Sequence, residues 1–82
     1  MDSSADFSNL GKWLPQKMAD KGMSAEQLGN ACGVSRSAIY FFISDKNRPT
    51  EMTMMKICRA LDADFADGLR QYTPRPMGRP RL

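Results

Sequence analysis

MSAEQLGNACGVSRSAIYFF, residues 23–42, sets two serines, Ser24 and Ser35, eleven residues apart with Gly33 between them. Ser24 and Gln27 form an S-x-x-Q capping box, in which each side chain satisfies a backbone amide left open at a helix start. Gly33 takes the left-handed conformation that ends helices at little cost. Ser35, after Val34, caps a second helix. The stretch therefore reads as a short helix, a tight turn and another helix. In the short helix Leu28, Ala31 and Cys32 are expected to face inward, and the small Gly29 and Ala31 to let another helix approach closely. At about 100° per residue, Ala38, Ile39, Phe42 and Ile43 share one side of the second helix. Ser37, Tyr40, Phe41 and Ser44 fall opposite, with Arg36 at the edge. Phe42 is expected in the core and Phe41 outside it.

The flanks extend the pattern. Upstream, Leu10, Leu14 and Met18 repeat every fourth residue with Trp13 alongside, and Gly22 ends that helix. Pro15 is tolerated if the regular helix starts near Lys12, which puts the proline in the first turn, and otherwise kinks the helix. Downstream, DKNRP (45–49) is a polar turn, and Thr50 caps EMTMMKICRAL, in which Met54, Ile57, Cys58 and Leu61 line one face. Asp64 is expected to cap a last helix, FADGLRQY (65–72), with Phe65 and Leu69 inward and Gly68 weakening it. The seven methionines read as core filler. The expected organisation is a flexible arm over 1–9, an all-α five-helix domain over 10–72, and a basic tail over 73–82, where TPRPMGRPRL holds three prolines.

Composition narrows the chemistry. Eighty-two residues make one small domain. There is no histidine, no GxxxxGK[ST] or GxGxxG loop, and no CxxC, so an enzyme, a metal site and a cofactor are not expected. Cys32 and Cys58 sit in apolar helical patterns and read as reduced core thiols. No run approaches the roughly 18 apolar residues of a membrane span, and the acidic, polar start resembles neither a secretory nor a transit peptide, so a cytoplasmic protein is expected. The net charge of +3 is unevenly spread: residues 36–59 carry +3, residues 60–69 carry −3, and the segment from Arg70 carries +4. Two basic regions around an acidic patch suit a polyanion met by one face.

A helix closed by glycine, a three-residue turn and a helix with a polar outer face describe a helix-turn-helix. The second helix of such a pair enters the major groove, where every base pair shows a distinct pattern of donors and acceptors. Arg36 can bond guanine bidentately, Ser37 can bond most bases, and Tyr40 and Phe41 can meet thymine methyls.

Residues 23–61 resemble the Xre/Cro family of helix-turn-helix regulators, the class of the lambdoid phage repressors. The family pattern is matched at Met23, Ser24, Leu28, Gly33, Val34, Ser35, Ser37, Ile39, Phe42, Pro49 and Leu61. Ala25 stands where the family carries glutamine, Ile43 where it carries glutamate, Asp45 where its turn has glycine, and Phe41 where arginine or glutamine is common. The resemblance implies a lambda-repressor-like fold over about residues 10–70. It implies base contacts by Arg36, Ser37, Tyr40 and Phe41, and phosphate contacts by Ser24, Ser35, Lys46, Asn47 and Arg48. It also implies a homodimer on a palindromic operator, a repressor by occlusion, and a dimer surface near Leu61 to Tyr72. Arg75, Arg79 and Arg81, around the tripeptide Gly78-Arg79-Pro80, are candidates for minor-groove contact, beside the plainer reading of nonspecific affinity. Two rival readings remain. One is an antitoxin that also grips a protein partner, a toxin or co-regulator, through the tail or through Asp62, Asp64 and Asp67. The other is a protein-interaction module built on Tyr40 and Phe41.

Overall fold

A computed structural model describes residues 7–74. It has five helices: α1 (Leu10–Lys21), α2 (Ala25–Cys32), α3 (Arg36–Ile43), α4 (Glu51–Leu61) and α5 (Phe65–Leu69). The start and stop signals read from sequence are in place. Ser24 Oγ accepts from Gln27 N while Gln27 Oε1 accepts from Ser24 N, at 3.1 and 2.9 Å. Ser35 and Thr50 cap α3 and α4 through Ala38 N and Thr53 N. Gly22 and Gly33 end α1 and α2 in the left-handed conformation, at φ 68° and 75°.

The core is a single apolar cluster. Leu10 and Leu14 from α1, Leu28 and Cys32 from α2, Ile39 and Phe42 from α3, and Met54, Ile57, Cys58 and Leu61 from α4 are all buried, and among the described residues no polar or charged side chain is buried with them. α2 packs on both α3 and α4, α1 crosses α3 and α4, and α5 closes onto α4. Trp13 Nε1 donates to Asp67 Oδ2 at 3.2 Å, tying α1 to the start of α5.

Several expectations need correction. α1 begins at Leu10 rather than Lys12, so Pro15 sits inside the helix, where it offers no N–H to the Gly11 carbonyl. Ala31 is exposed and Ala25 is buried. The inward face of α2 is Ala25, Leu28 and Cys32, spaced i, i+3 and i+7, and Ala31 lies about 100° round from Cys32. Ala25, where the family carries glutamine, is thus a core residue. α5 stops at Leu69, and Asp64, although at its cap position, makes no side-chain cap bond. Phe65 and Leu69 are only half-buried, and Gly68 is the buried residue of α5, because a Cβ there would come within 2.8 Å of Cys58 Sγ and 2.9 Å of Met54 Cε. The methionines divide: Met18 and Met54 fill the core, whereas Met52 and Met55 are exposed.

The largest departure joins the ends. Ser8 and Tyr72 form an isolated antiparallel bridge, flanked by Asn9 N–H to Gln71 O at 2.6 Å and Thr73 N–H to Phe7 O at 2.8 Å. Tyr72 is 1% exposed, and its hydroxyl donates to Thr50 O at 3.4 Å. Phe7, Ser8 and Asn9, drawn as part of an arm, and Thr73, drawn as part of a tail, are held in this clasp. Tyr72 and Leu61 are both buried within the subunit, so neither is available to another copy.

Candidate nucleic-acid interface

α3 is positioned by backbone contacts at both ends. At its start, Val34 N–H donates to Gly29 O at 2.9 Å, folding the Gly33-Val34-Ser35 turn back onto α2. A Cβ on Gly29 would lie 2.7 Å from Val34 O and 3.2 Å from Ser35 O. What approaches Gly29 is therefore the turn itself, not another helix. At the far end of α3 a Cβ on Gly11 would lie 2.7 Å from Ile43 O, so α1 meets the last carbonyl of α3 at bare backbone. With Ile39 and Phe42 buried between these two points, the rotation of α3 about its axis is fixed.

That rotation turns Arg36, Ser37, Tyr40 and Phe41 outward together. Arg36 and Ser37 are exposed, Tyr40 is 54% exposed and Phe41 45%. The four form one continuous outer face, on which two large aromatic rings stand beside a guanidinium and a hydroxyl. Where α2 meets the first turn of α3 there is an open cleft of about 370 Å³ lined by Glu26, Asn30, Val34, Ser35, Arg36 and Ser37. It joins the outer side of α2 to the N-terminus of α3, the end at which open amides and the helix dipole favour an anion.

The expected phosphate contacts differ in what they have left to offer. Ser24 and Ser35 are exposed, but their oxygens already accept from Gln27 N and Ala38 N, and the Ser24 amide is taken by Gln27 Oε1. Each hydroxyl keeps its O–H as a donor. After α3 the chain turns at Asp45 with φ 65°, which accounts for glycine at this place in the family; aspartate is among the few other residues that tolerate it. The amides of Lys46 and Asn47 both donate to Phe41 O, at 3.0 and 3.3 Å, and their side chains are exposed. Arg48 is half-buried, and its Nη1 donates to Thr73 O at 3.5 Å, so this loop is tied to the Ser8–Tyr72 clasp. That tie carries no local sequence signal. Arg75, Arg79 and Arg81 lie outside the described residues.

The remaining reactive groups are withdrawn from solvent. Burial pushes the Cys32 thiol above its ordinary value against the pull of Lys56. Burial, then Asp64, Asp67 and Cys32, pushes Cys58 up to about 11. Both are free, protonated thiols at neutral pH. Of the acidic patch, Asp67 accepts from Trp13 and from Arg70 at 3.0 Å, and Asp62 lies 3.8 Å from Lys21. Among the described residues no helix is long and apolar enough to cross a membrane.

A protein-family model described as helix-turn-helix matches residues 16–67, which cover the end of α1, the whole α2-turn-α3 unit, α4 and the start of α5. No curated protein matches the chain. A capped α2, a left-handed glycine, a three-residue turn and an α3 with its polar side outward lie inside that match, and the chain belongs to the Xre and lambda-repressor-like helix-turn-helix family of DNA-binding transcriptional regulators.

Proposed function

We propose that this protein is a repressor that binds a palindromic operator as a homodimer and occludes transcription. The carrying observation is the outer face of α3, where Arg36, Ser37, Tyr40 and Phe41 are exposed while Ile39 and Phe42 anchor the helix from behind. In this reading α3 lies in the major groove, Arg36 and Ser37 hydrogen-bond base edges, and Tyr40 and Phe41 pack on thymine methyls. Ser24, Ser35, Lys46 and Asn47 donate to phosphates, with Arg48 shared between a phosphate and Thr73. The Arg75, Arg79 and Arg81 segment adds affinity along the duplex. A domain this small makes few contacts per half-site, so two copies with their α3 helices about 34 Å apart supply the specificity. No ligand-binding or catalytic part is needed for this, and the protein acts in the cytoplasm, where its DNA is.

Two facts bear on the rival readings. Of the acidic patch, Asp67 is engaged by Arg70 and Trp13 and Asp62 is loosely paired with Lys21, which leaves a toxin less free charge there than the sequence offers. The exposed Tyr40 and Phe41 would equally suit a protein partner, and one experiment separates the two. Selection from random duplexes by mobility shift at two salt concentrations gives the operator, and Arg36→Ala and Phe41→Ala are then titrated against it. Each substitution is expected to weaken binding by about 1–3 kcal/mol and to relax preference at one or two base positions. Selection that yields no common sequence, or variants that bind like wild type, overturns the repressor reading.

A further inference from the structure

The α3 face accounts for Tyr40 and Phe41, but not, among the described residues, for an exposed apolar pair on α4. Met52 is 52% exposed and Met55 44%, one helical turn apart on the outer side of α4. At about 100° per residue, Arg59 falls within about 20° of Met52, with Met55 about 60° to one side and Glu51 beyond it. Glu51 and Arg59 therefore bracket the methionines along the stripe, about 12 Å apart at 1.5 Å per residue. Both are exposed, and neither has an ion-pair partner among the described residues.

Resting on the homodimer reading above, we propose that this stripe is where two copies of the chain meet, with their α4 helices antiparallel across a twofold axis at Met55. The charges select the arrangement. With Met55 on the axis, Glu51 of one copy stands level with Arg59 of the other, and the same pair recurs on the opposite side. Four methionines are enclosed between two ion pairs. Parallel pairing would instead oppose Glu51 to Glu51 and Arg59 to Arg59. The antiparallel arrangement also sets the positive end of each helix dipole beside the negative end of its neighbour. It is isologous, as a twofold dimer requires. The C-terminal alternative loses Leu61 and Tyr72, which are buried within the subunit, and keeps the half-buried Phe65 and Leu69. An eleven-residue helix is only about 16 Å long, and its face falls short of the roughly 1,200 Å² that stable interfaces bury. The pair is accordingly weak in free solution and fills when an operator holds two copies side by side.

The geometry is tested by trapping. In Met55→Cys the new thiol faces its own symmetry mate, whereas Cys32 and Cys58 are buried and silent. With oxidised glutathione and the selected operator duplex, Met55→Cys is expected to form a disulfide-linked dimer at least tenfold faster than Asp20→Cys, an exposed control on α1. Glu51→Arg alone should reduce two-copy binding to the operator, and Glu51→Arg with Arg59→Glu should restore it. Equal trapping rates, or a Met52→Glu/Met55→Glu protein that still binds two per operator as tightly as wild type, overturns this surface and leaves the homodimer reading standing. Wild-type protein that saturates every selected operator at one copy overturns the homodimer itself.

Discussion

Gly29→Ala is the most direct test of how α3 is held. Gly29 lies within α2, and alanine there gains about 1 kcal/mol of helix propensity over glycine. Against that, the new methyl meets Val34 O at 2.7 Å and Ser35 C and O at 3.2 Å. These are backbone atoms of a tight turn, pinned by Val34 N–H to Gly29 O and by the Ser35 cap, so they cannot swing aside as a side-chain end would. Relieving the closest contact takes roughly 0.7 Å, and overpacking of this kind costs about 1–3 kcal/mol. The net is a loss of up to about 2 kcal/mol, out of the roughly 4–12 kcal/mol available to a domain of this size. Because the displaced atoms set the start of α3, operator affinity of the folded variant should fall as well, by about tenfold or about 1.4 kcal/mol. Urea denaturation gives the first quantity and titration of the selected operator, at a temperature where both proteins are folded, gives the second. A variant stabilised by the full propensity gain, with unchanged DNA affinity, would refute the account.

Two further expectations concern the core. The contribution of Cys58 to stability should be complete below pH 9 and decline above it: the unfolded chain releases the Cys58 proton near 9, the folded chain holds it to about 11, and between these values rising pH favours unfolding. The slope is up to about 1.4 kcal/mol per pH unit for that thiol, with Cys32 and Tyr72, also raised by burial, adding in the same direction. Urea midpoints at pH 8, 9 and 10 for wild type and Cys58→Ala check this, and equal slopes for the two proteins would count against it. At Tyr72 the hydroxyl bond to Thr50 O is long, at 3.4 Å, so Tyr72→Phe should cost under about 1 kcal/mol, whereas Tyr72→Ala should cost about 3–5 and nearly unfold the domain. Equal losses in the two variants would show that the hydroxyl, not the ring, holds the clasp.

The helix boundaries that proved readable are those with local chemistry. Ser24, Ser35, Thr50, Gly22 and Gly33 act on backbone groups within four residues of themselves, so their meaning travels with the sequence. The inward and outward faces of α3 and α4 follow from a long apolar repeat, and Phe42 and Phe41 divide as their angles require. The misreadings have a different origin. Ala25 and Ala31 are the same residue a turn and a half apart, and the choice between them depends on where α4 lies. Met52 and Met54 are equally apolar, so composition, which reads all methionines as core, does not separate them, whereas the α4 spacing already turns Met54 inward. The clasp pairs residues more than sixty positions apart, and nothing in Ser8 or Tyr72 names the other. In the interface, the outward direction of Arg36, Ser37, Tyr40 and Phe41 was legible. The diversion of Arg48 toward Thr73 was not, because it depends on that clasp.

The clasp also has a consequence for how the protein is made. Tyr72 fills one wall of the core against the start of α4, and its bridge to Ser8 draws on the first described residues. A chain still on the ribosome therefore has α1 to α4 in hand, but lacks a wall of its hydrophobic interior until residue 72 has cleared the exit tunnel. Closure of the core is thereby tied to the emergence of residue 72, and a fragment released before it would expose the apolar seat of Tyr72 to chaperones and proteases rather than compete for DNA.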